Sequence, residues 1–177
     1  MTPMVRRMLG AARLDAGVYE EVEADTRLTT QAVAVVLLAS LAGGLGAGWP
    51  RWPIMALGAV FTLSGWVVWA LVTWWIGTRL LPEPQTRSNI GELLRTIGFA
   101  ASPGVLRVLG VVPLLRGPVY LAATIWMLVA TVVAVRQALD YRSTLRAVLV
   151  CGIGWLIQVV FLAFALAFLV GTSGPAF

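Results

Sequence analysis

The sequence predicts an all-α membrane protein, with five transmembrane helices preceded by an amphipathic N-terminal helix. Of its 177 residues, 59% belong to the set AVILMFWYC, another 18 are glycine, and only 12% are charged. An average soluble domain is about 45–50% apolar with glycine included and about 25% charged. A soluble domain of this length has too little interior to bury so many apolar side chains. Long apolar runs separated by arginine-bearing segments complete the prediction.

The charged and reactive residues exclude several kinds of chemistry. The chain has no histidine, one cysteine (Cys151), and arginine as its only basic residue type. Histidine-based catalysis or metal binding, an internal disulfide and a lysine Schiff base are therefore excluded. No nucleophile with a base is found in the spans, so we expect no enzyme, no catalytic residue, no metal site and no cofactor. The scattered arginines are typical of membrane orientation and not of nucleic-acid binding.

Residues 1–28 are predicted to form a cytoplasmic or interfacial amphipathic segment. Apolar residues such as Met4, Met8 and Val22 recur at helical spacing, which predicts one helix over residues 3–25. This helix is expected to lie along the membrane with its arginines near anionic headgroups. A solvated helix leading into the first span is the alternative.

Residues 29–170 are predicted to form one membrane domain, followed by a short tail at 171–177. A run of about 20 residues is about 30 Å long as a helix, one hydrocarbon thickness. The third run is the weakest because it contains Pro103, Arg107 and Pro113; we expect a kinked span, with a re-entrant segment or a short buried helix as alternatives. The five predicted spans cover about 29–48, 54–78, 97–113, 118–135 and 147–170.

The arginines predict the orientation of the chain in the membrane. With the N-terminus inside, ten of them fall in inner segments, only Arg51 and Arg116 fall in outer segments, and Arg107 lies within the third run. Inner loops of membrane proteins are enriched in basic residues. The sequence therefore predicts a cytoplasmic N-terminus and an external C-terminus in the inner (plasma) membrane.

Several short motifs, in order, resemble the Yip family of five-span membrane proteins, and its short bacterial members in particular. They are YEEVEAD at 19–25, GFAASP at 98–103, VP at 112–113 and AVRQALD at 134–140. The resemblance runs from about Arg13 to Ile157. It implies a five-span fold, and it implies membrane lipids with other membrane proteins or copies of the chain as partners.

The resemblance implies no reaction. Eukaryotic members of the family act in vesicle traffic and bind prenylated Rab GTPases. The arginine-only, Gly/Ala-rich composition is typical of a high-GC bacterium, so that role is not carried over. We expect a non-enzymatic protein that acts by protein and lipid interaction, as a structural or accessory subunit of a larger complex.

Charged residues on the predicted inner side form a candidate interaction network. A cluster before the first span faces the loop between the fourth and fifth spans, which would lock the bundle or form a docking surface. Ordinary solvated charge is the alternative. The candidate residues are Glu20, Glu23, Asp25, Arg136, Asp140 and Arg146.

Arg107 and Gln158 are the candidate lipid or substrate contacts inside apolar runs. Ionisable groups in spans usually face the bundle interior or a wet cavity, although Arg107 is also placed to snorkel outward and Gln158 to hydrogen bond between helices. The alternative function is therefore a transporter or lipid-handling protein with a polar site at Arg107. That alternative requires a cavity reaching Arg107.

Small residues, prolines and tryptophans are the candidates for helix packing. Gly44 and Gly48 fit a GxxxG pattern that permits close approach of helices, and Pro103 and Pro113 shape the third run. Four tryptophans at mid-span depth are expected to pack or to line a groove for a bound lipid or hydrophobic pigment. They are Trp66, Trp69, Trp126 and Trp155.

Overall fold

The computed structural model describes residues 1–48 and 52–172, with the side chains of residues 158 and 161–172 excepted. This part of the chain is helical and contains no strand, which confirms the all-α prediction. Within it, the α-helices are α1 (Pro3–Ala12), α2 (Ala16–Ala24), α3 (Thr29–Gly46), α4 (Trp52–Trp75), α5 (Ile90–Ala100), α6 (Pro113–Ala138) and α7 (Thr144–Thr172). A 3-10 turn at Thr26–Leu28, a π turn at Ile76–Leu80 and a 3-10 segment at Ser102–Val111 connect them.

The N-terminal segment folds as a helical hairpin, so the prediction of one helix over residues 3–25 was wrong. Leu14 has a φ of 64°, which ends α1. Asp15 then starts α2, because its side chain accepts a hydrogen bond from the Gly17 N–H at 3.0 Å. The hairpin closes tightly: a Cβ on Gly10 would lie 2.5 Å from a Val18 methyl carbon.

Helix α3 begins at Thr29, where the first span was predicted to start, but it ends at Gly46. Gly48 follows the helix with a φ of +77°, a backbone conformation that favours glycine. Gly48 therefore serves the turn and does not form a packing stripe with Gly44. The second span begins near its predicted position, and α4 continues through the π turn to Leu80.

The third apolar run changes helix type at its middle. Helix α5 begins at Ile90, well before the predicted 97, because Asn89 and Glu92 form a reciprocal capping box. The chain continues beyond Ala100 as the 3-10 segment, in which Pro103 is buried. Pro113 is exposed and is the first residue of α6, so its expected role in packing the third run was wrong. Helix α6 begins there and not near 118.

Four stretches of the described residues are long and apolar enough to cross a membrane: Thr26–Gly46, Trp52–Leu80, Ile90–Val111 and Pro113–Ala138. The most apolar window of Ile90–Val111 is 56% buried, against 11% for Trp52–Leu80. Helix α5 and the 3-10 segment therefore form the centre of the bundle, packed between α3 and α6.

The last apolar helix, α7, runs to Thr172, and its part from Thr144 to Ile157 is apolar. The five-span count stays a prediction, and most of the predicted tail at 171–177 lies outside the described residues. The start of α1, the end of α2, the loop after α4, the start of α5 and the α6–α7 turn lie at one end of the bundle, which we call the N-terminal end. The turn of the hairpin extends toward the middle of α6. The end of α3, the start of α4 and the start of α6 lie at the opposite end.

Candidate functional site

The N-terminal end contains an open cavity of about 420 Å³ between α2, α5 and α6. We call it the acidic cavity, because four carboxylates line it together with two arginines. The charged lining residues are Glu20, Glu23, Glu92, Asp140, Arg95 and Arg136.

Arg95 is the buried anchor of the acidic cavity, with only 4% of its surface exposed. Its Nε donates to the Val22 carbonyl at 2.9 Å, and its Nη2 donates to the Glu23 carbonyl. These are carbonyls at the end of α2, which the helix itself leaves without partners. Sequence reasoning counted Arg95 only as an inner-side charge; the missed signal was an arginine within the apolar stretch that follows Glu92.

Arg136 is also engaged by the main chain, since its Nε donates to the Tyr141 carbonyl at 3.2 Å. Glu20 accepts a hydrogen bond from the Gln137 side chain at 3.1 Å. Among the described side chains, neither cavity arginine forms an ion pair with the four carboxylates. The structure thus brings Glu20, Glu23, Arg136 and Asp140 together as predicted residues of one site, but around an open space.

Two residues of the predicted network lie elsewhere. Asp25 accepts a hydrogen bond from the Arg27 N–H at 2.9 Å and starts the 3-10 turn, because it directly follows α2. Arg146 donates to the Pro82 carbonyl at 2.8 Å and lies 3.6 Å from the Glu83 carboxylate. It therefore fastens the start of α7 to the loop after α4, and it does not line the acidic cavity with the other residues of the predicted network.

The surroundings of Glu23 change its acidity. Burial, followed by the neighbouring Glu92 and Asp140 carboxylates, raises the pKa of Glu23 to about 7, although Arg95 opposes this shift. Glu83 behaves in the opposite way: hydrogen bonds led by the Arg142 N–H lower the pKa of its carboxyl. The charge of the acidic cavity therefore changes near neutral pH.

The opposite end contains a second cavity of about 310 Å³ between α3, α4, the 3-10 segment and α6. We call it the Arg107 cavity. The Arg107 guanidinium carbon lies 5.6 Å from the centroid of the Tyr120 ring, and Nη2 donates to the Thr124 hydroxyl at 3.0 Å. Its Nε is buried and has no hydrogen-bond partner among the described residues. The alternative function, a transporter or lipid-handling protein with a polar site at Arg107, requires a cavity that reaches Arg107. A sealed bundle would contradict it.

The close helix approach at this end depends on a glycine that the sequence analysis did not single out. A Cβ on Gly46 would lie 1.8 Å from the Arg107 carbonyl oxygen, whereas one on Gly44 would meet only the Met55 side chain at 3.4 Å. The side chain of Gln158 lies outside the described residues.

Two of the mid-span tryptophans are held by the protein itself. The Trp66 indole donates to the Leu94 carbonyl at 3.2 Å, and the Trp126 indole donates to the Ala12 carbonyl at 2.6 Å. Each joins two elements of the bundle. In the described part of the chain, no three Cys, Asp or Glu side chains lie close enough together to hold a metal ion.

Long apolar helices around a buried centre, with charged groups gathered at the ends, define a membrane protein. Residues 18–166 match the model of the Yip1 domain. This match covers most of the chain, so the protein belongs to the Yip1 domain family, as the sequence motifs predicted. The family is not known as a family of enzymes. Comparison with curated proteins and with solved structures gave no match.

Proposed function

We propose that this Yip1-domain protein is a non-enzymatic accessory subunit that docks other membrane proteins at its acidic cavity. The observation that carries the proposal is the commitment of Arg95 and Arg136 to main-chain carbonyls. Four carboxylates outnumber these two arginines around the open space, and one of the four, Glu92, also accepts a hydrogen bond from the Asn89 N–H at 2.9 Å. The cavity therefore complements a cationic partner.

Membrane proteins carry such cationic groups at the cytoplasmic ends of their helices. A solvent-exposed ion pair contributes only about 0–1 kcal/mol. Glu23 is partly buried among like charges, so an incoming arginine would relieve repulsion as well as form a pair. Binding should then lower the pKa of Glu23 and be stronger at pH 8 than at pH 6.

A pair of single-span test helices examines this proposal. One carries an arginine-rich flank and the other a glutamine-rich flank, and each is labelled for energy transfer to the full-length protein in uncharged vesicles. We expect the arginine-rich helix to bind more tightly, and the variant Glu23→Gln/Asp140→Asn to lose that preference. Asparagine tolerates the φ of 54° at residue 140.

The matched control is Glu21→Gln, which removes a carboxylate of the same helix that pairs with Arg6 and Arg7 outside the cavity. It should bind as the unmodified protein does. Equal binding of both flanks, or full binding by the double variant, would contradict the proposal. Mass spectrometry of proteins that co-purify with these variants would then identify the natural partner.

The same proposal requires the N-terminal end to face the cytoplasm, with α7 as a fifth span and the C-terminus outside. The ten inner arginines support this orientation. Fusions of a fluorescent protein that folds only inside, and of a phosphatase that folds only outside, test it at each terminus. Reporters active on the same side at both termini would contradict the five-span arrangement.

A further inference from the structure

In the described part of the chain, the positive charge of the Arg107 cavity has no paired carboxylate. Arg107 lies beside the last turn of α3, and none of the eight acidic residues lines its cavity. They are Asp15, Glu20, Glu21, Glu23, Asp25, Glu83, Glu92 and Asp140. An arginine at membrane depth is costly unless an anion or a polar cavity compensates it.

The protein supplies only part of that compensation. The guanidinium has five N–H donors, and in the described part of the chain its side chain makes one hydrogen bond, to Thr124. The Tyr120 ring adds a cation–π contact. The remaining donors are left to water or to an anion from outside the chain, and only an anion also neutralises the charge.

The depth of the site indicates where that anion comes from. The Arg107 Cδ lies 3.9 Å from the Cβ position of Gly43, three residues before the end of α3. At 1.5 Å per residue, this places the side chain about one turn, roughly 5 Å, below the helix end. Helix α3 is about as long as the hydrocarbon core is thick, and the polar headgroups lie outside that core. The long Arg107 side chain therefore reaches the headgroup phosphates by extending outward from this level.

The lining of the cavity changes from charged to apolar with depth, as a phospholipid changes from its headgroup to its acyl chains. Arg107 and Tyr120 lie at the shallow end, and the hydrogen-bonded hydroxyls of Ser40 and Thr62 lie one turn deeper. Val36 and Met127, which are apolar, line the deepest part. A free anion would use only the shallow end of such a space.

We propose that the Arg107 cavity binds the phosphate of a membrane phospholipid, with the first part of one acyl chain along the apolar wall. The site is independent of the acidic cavity, since the two share no residue. A cavity of about 310 Å³ holds a headgroup and the start of a chain, not a whole lipid.

Native mass spectrometry of the delipidated full chain in uncharged detergent tests this proposal with three probes. The probes are phosphatidylglycerol, diacylglycerol with the same chains but no phosphate, and inorganic phosphate with no chains. We expect only phosphatidylglycerol to be retained, and Arg107→Gln to bind it at least about 10-fold more weakly, the cost of losing one charged hydrogen-bonding group. Arg107→Lys should retain part of the binding.

Two further variants keep the result interpretable if Arg107→Gln folds poorly. Arg116→Gln is the matched control, because Arg116 lies at the same end but donates to the Gly110 carbonyl at 3.3 Å, outside the cavity. It should bind as the unmodified protein does. Ser40→Leu keeps the charge but fills the deeper wall, and should also lose the phospholipid.

Each other outcome overturns the proposal. Equal retention by Arg107→Gln would show that the charge does not recognise the lipid. Equal retention of diacylglycerol would show an apolar groove only. Tight binding of inorganic phosphate without chains would show a free-anion site, as the transporter alternative requires.

Discussion

The two cavities lie at opposite ends of one helix bundle and carry opposite charge. The acidic cavity lies at the end where most arginines gather, yet carboxylates dominate its open space because Arg95 and Arg136 donate to main-chain carbonyls. No carboxylate of the described residues lines the Arg107 cavity, so a single arginine determines its charge. The comparison teaches that the charge of a site depends on which charged side chains line it, and not on the count of charges at that end of the bundle.

The two cavities also differ in how their walls are held. At the acidic cavity, the buried guanidinium of Arg95 joins α5 to α2. Its hydrogen bond to the Val22 carbonyl connects two residues that are 73 positions apart in the sequence. At the Arg107 cavity, the backbone of the 3-10 segment touches α3 directly at Gly46. The first wall depends on hydrogen bonds and the second on the absence of a side chain.

The largest expected effect comes from Arg95→Met, which removes the polar wall but keeps a side chain of similar length. Two carbonyls at the end of α2 lose their donor, so we expect the free energy of unfolding to fall by about 2–4 kcal/mol. Unfolding of both proteins in uncharged detergent measures this change in the free energy of unfolding. The control Arg142→Met, at an exposed side chain, should change it by less than about 0.5 kcal/mol. An effect of Arg95→Met as small as that of the control would show that Arg95 does not hold the wall.

Gly46→Ala tests the steric wall. The added Cβ would collide with a backbone oxygen at 1.8 Å, and the backbone cannot turn aside as a flexible side chain does. Overpacking of this kind costs about 1–3 kcal/mol, so the unfolding temperature should fall. The retention of phosphatidylglycerol in native mass spectrometry should also differ from that of the unmodified protein. Gly58→Ala is the matched control, because nothing lies within 4 Å of its Cβ position. Helix propensity makes that change neutral to slightly stabilising.

Glu23→Gln tests the crowding of carboxylates through pH. The pKa of Glu23 rises from 4.5 to about 7 on folding, so the folded protein holds this proton more tightly than the unfolded chain does. The contribution of Glu23 to stability is therefore largest below pH 4.5, falls between pH 4.5 and about 7, and changes no further above that. Thermal unfolding across that window should show a shallower decline for Glu23→Gln, whereas Glu21→Gln keeps Glu23 and its decline. Identical slopes for all three proteins would contradict the assignment.

Arg146→Gln should have the smallest effect. The Arg146 side chain is 44% exposed in its ion pair with Glu83, and pairs with a solvent-exposed member contribute about 0–1 kcal/mol. Since Arg146 lies outside the acidic cavity, capture of the arginine-flanked test helix should not change. A loss of capture would show that the docking surface includes the start of α7. The charges that line the acidic cavity and the Arg146–Glu83 pair would then belong to one surface.

Much of the fold was predictable because the signals are local. Apolar runs of membrane length located the helices from Thr29 onward, and the weak third run at Pro103 became a change from α-helix to 3-10 helix. The N-terminal hairpin was missed because apolar spacing continues through Leu14, whose positive φ the pattern does not record. The third span was predicted to begin at about 97, because the amphipathic piece at 90–95 and its capping box belong to a polar stretch.

The candidate sites were only partly predictable. Glu23 and Asp140 were singled out and do share a cavity, and Arg107 was singled out as an unusual charge in an apolar run. Arg95 and Gly46 were missed, and Arg146 was assigned to the wrong group. Each of these three depends on a neighbour contributed by another element.

Composition, run length and motif order by themselves determined that this is a helical membrane protein of the Yip1 domain family. Those properties add up residue by residue along the chain, so no folded structure is needed to evaluate them. Only the tertiary structure decided that the acidic cavity is open and negative and that no carboxylate of the described residues pairs with Arg107. The physical reason is that hydrogen bonds and close contacts act over a few ångströms, and packing alone brings residues distant in sequence within that range.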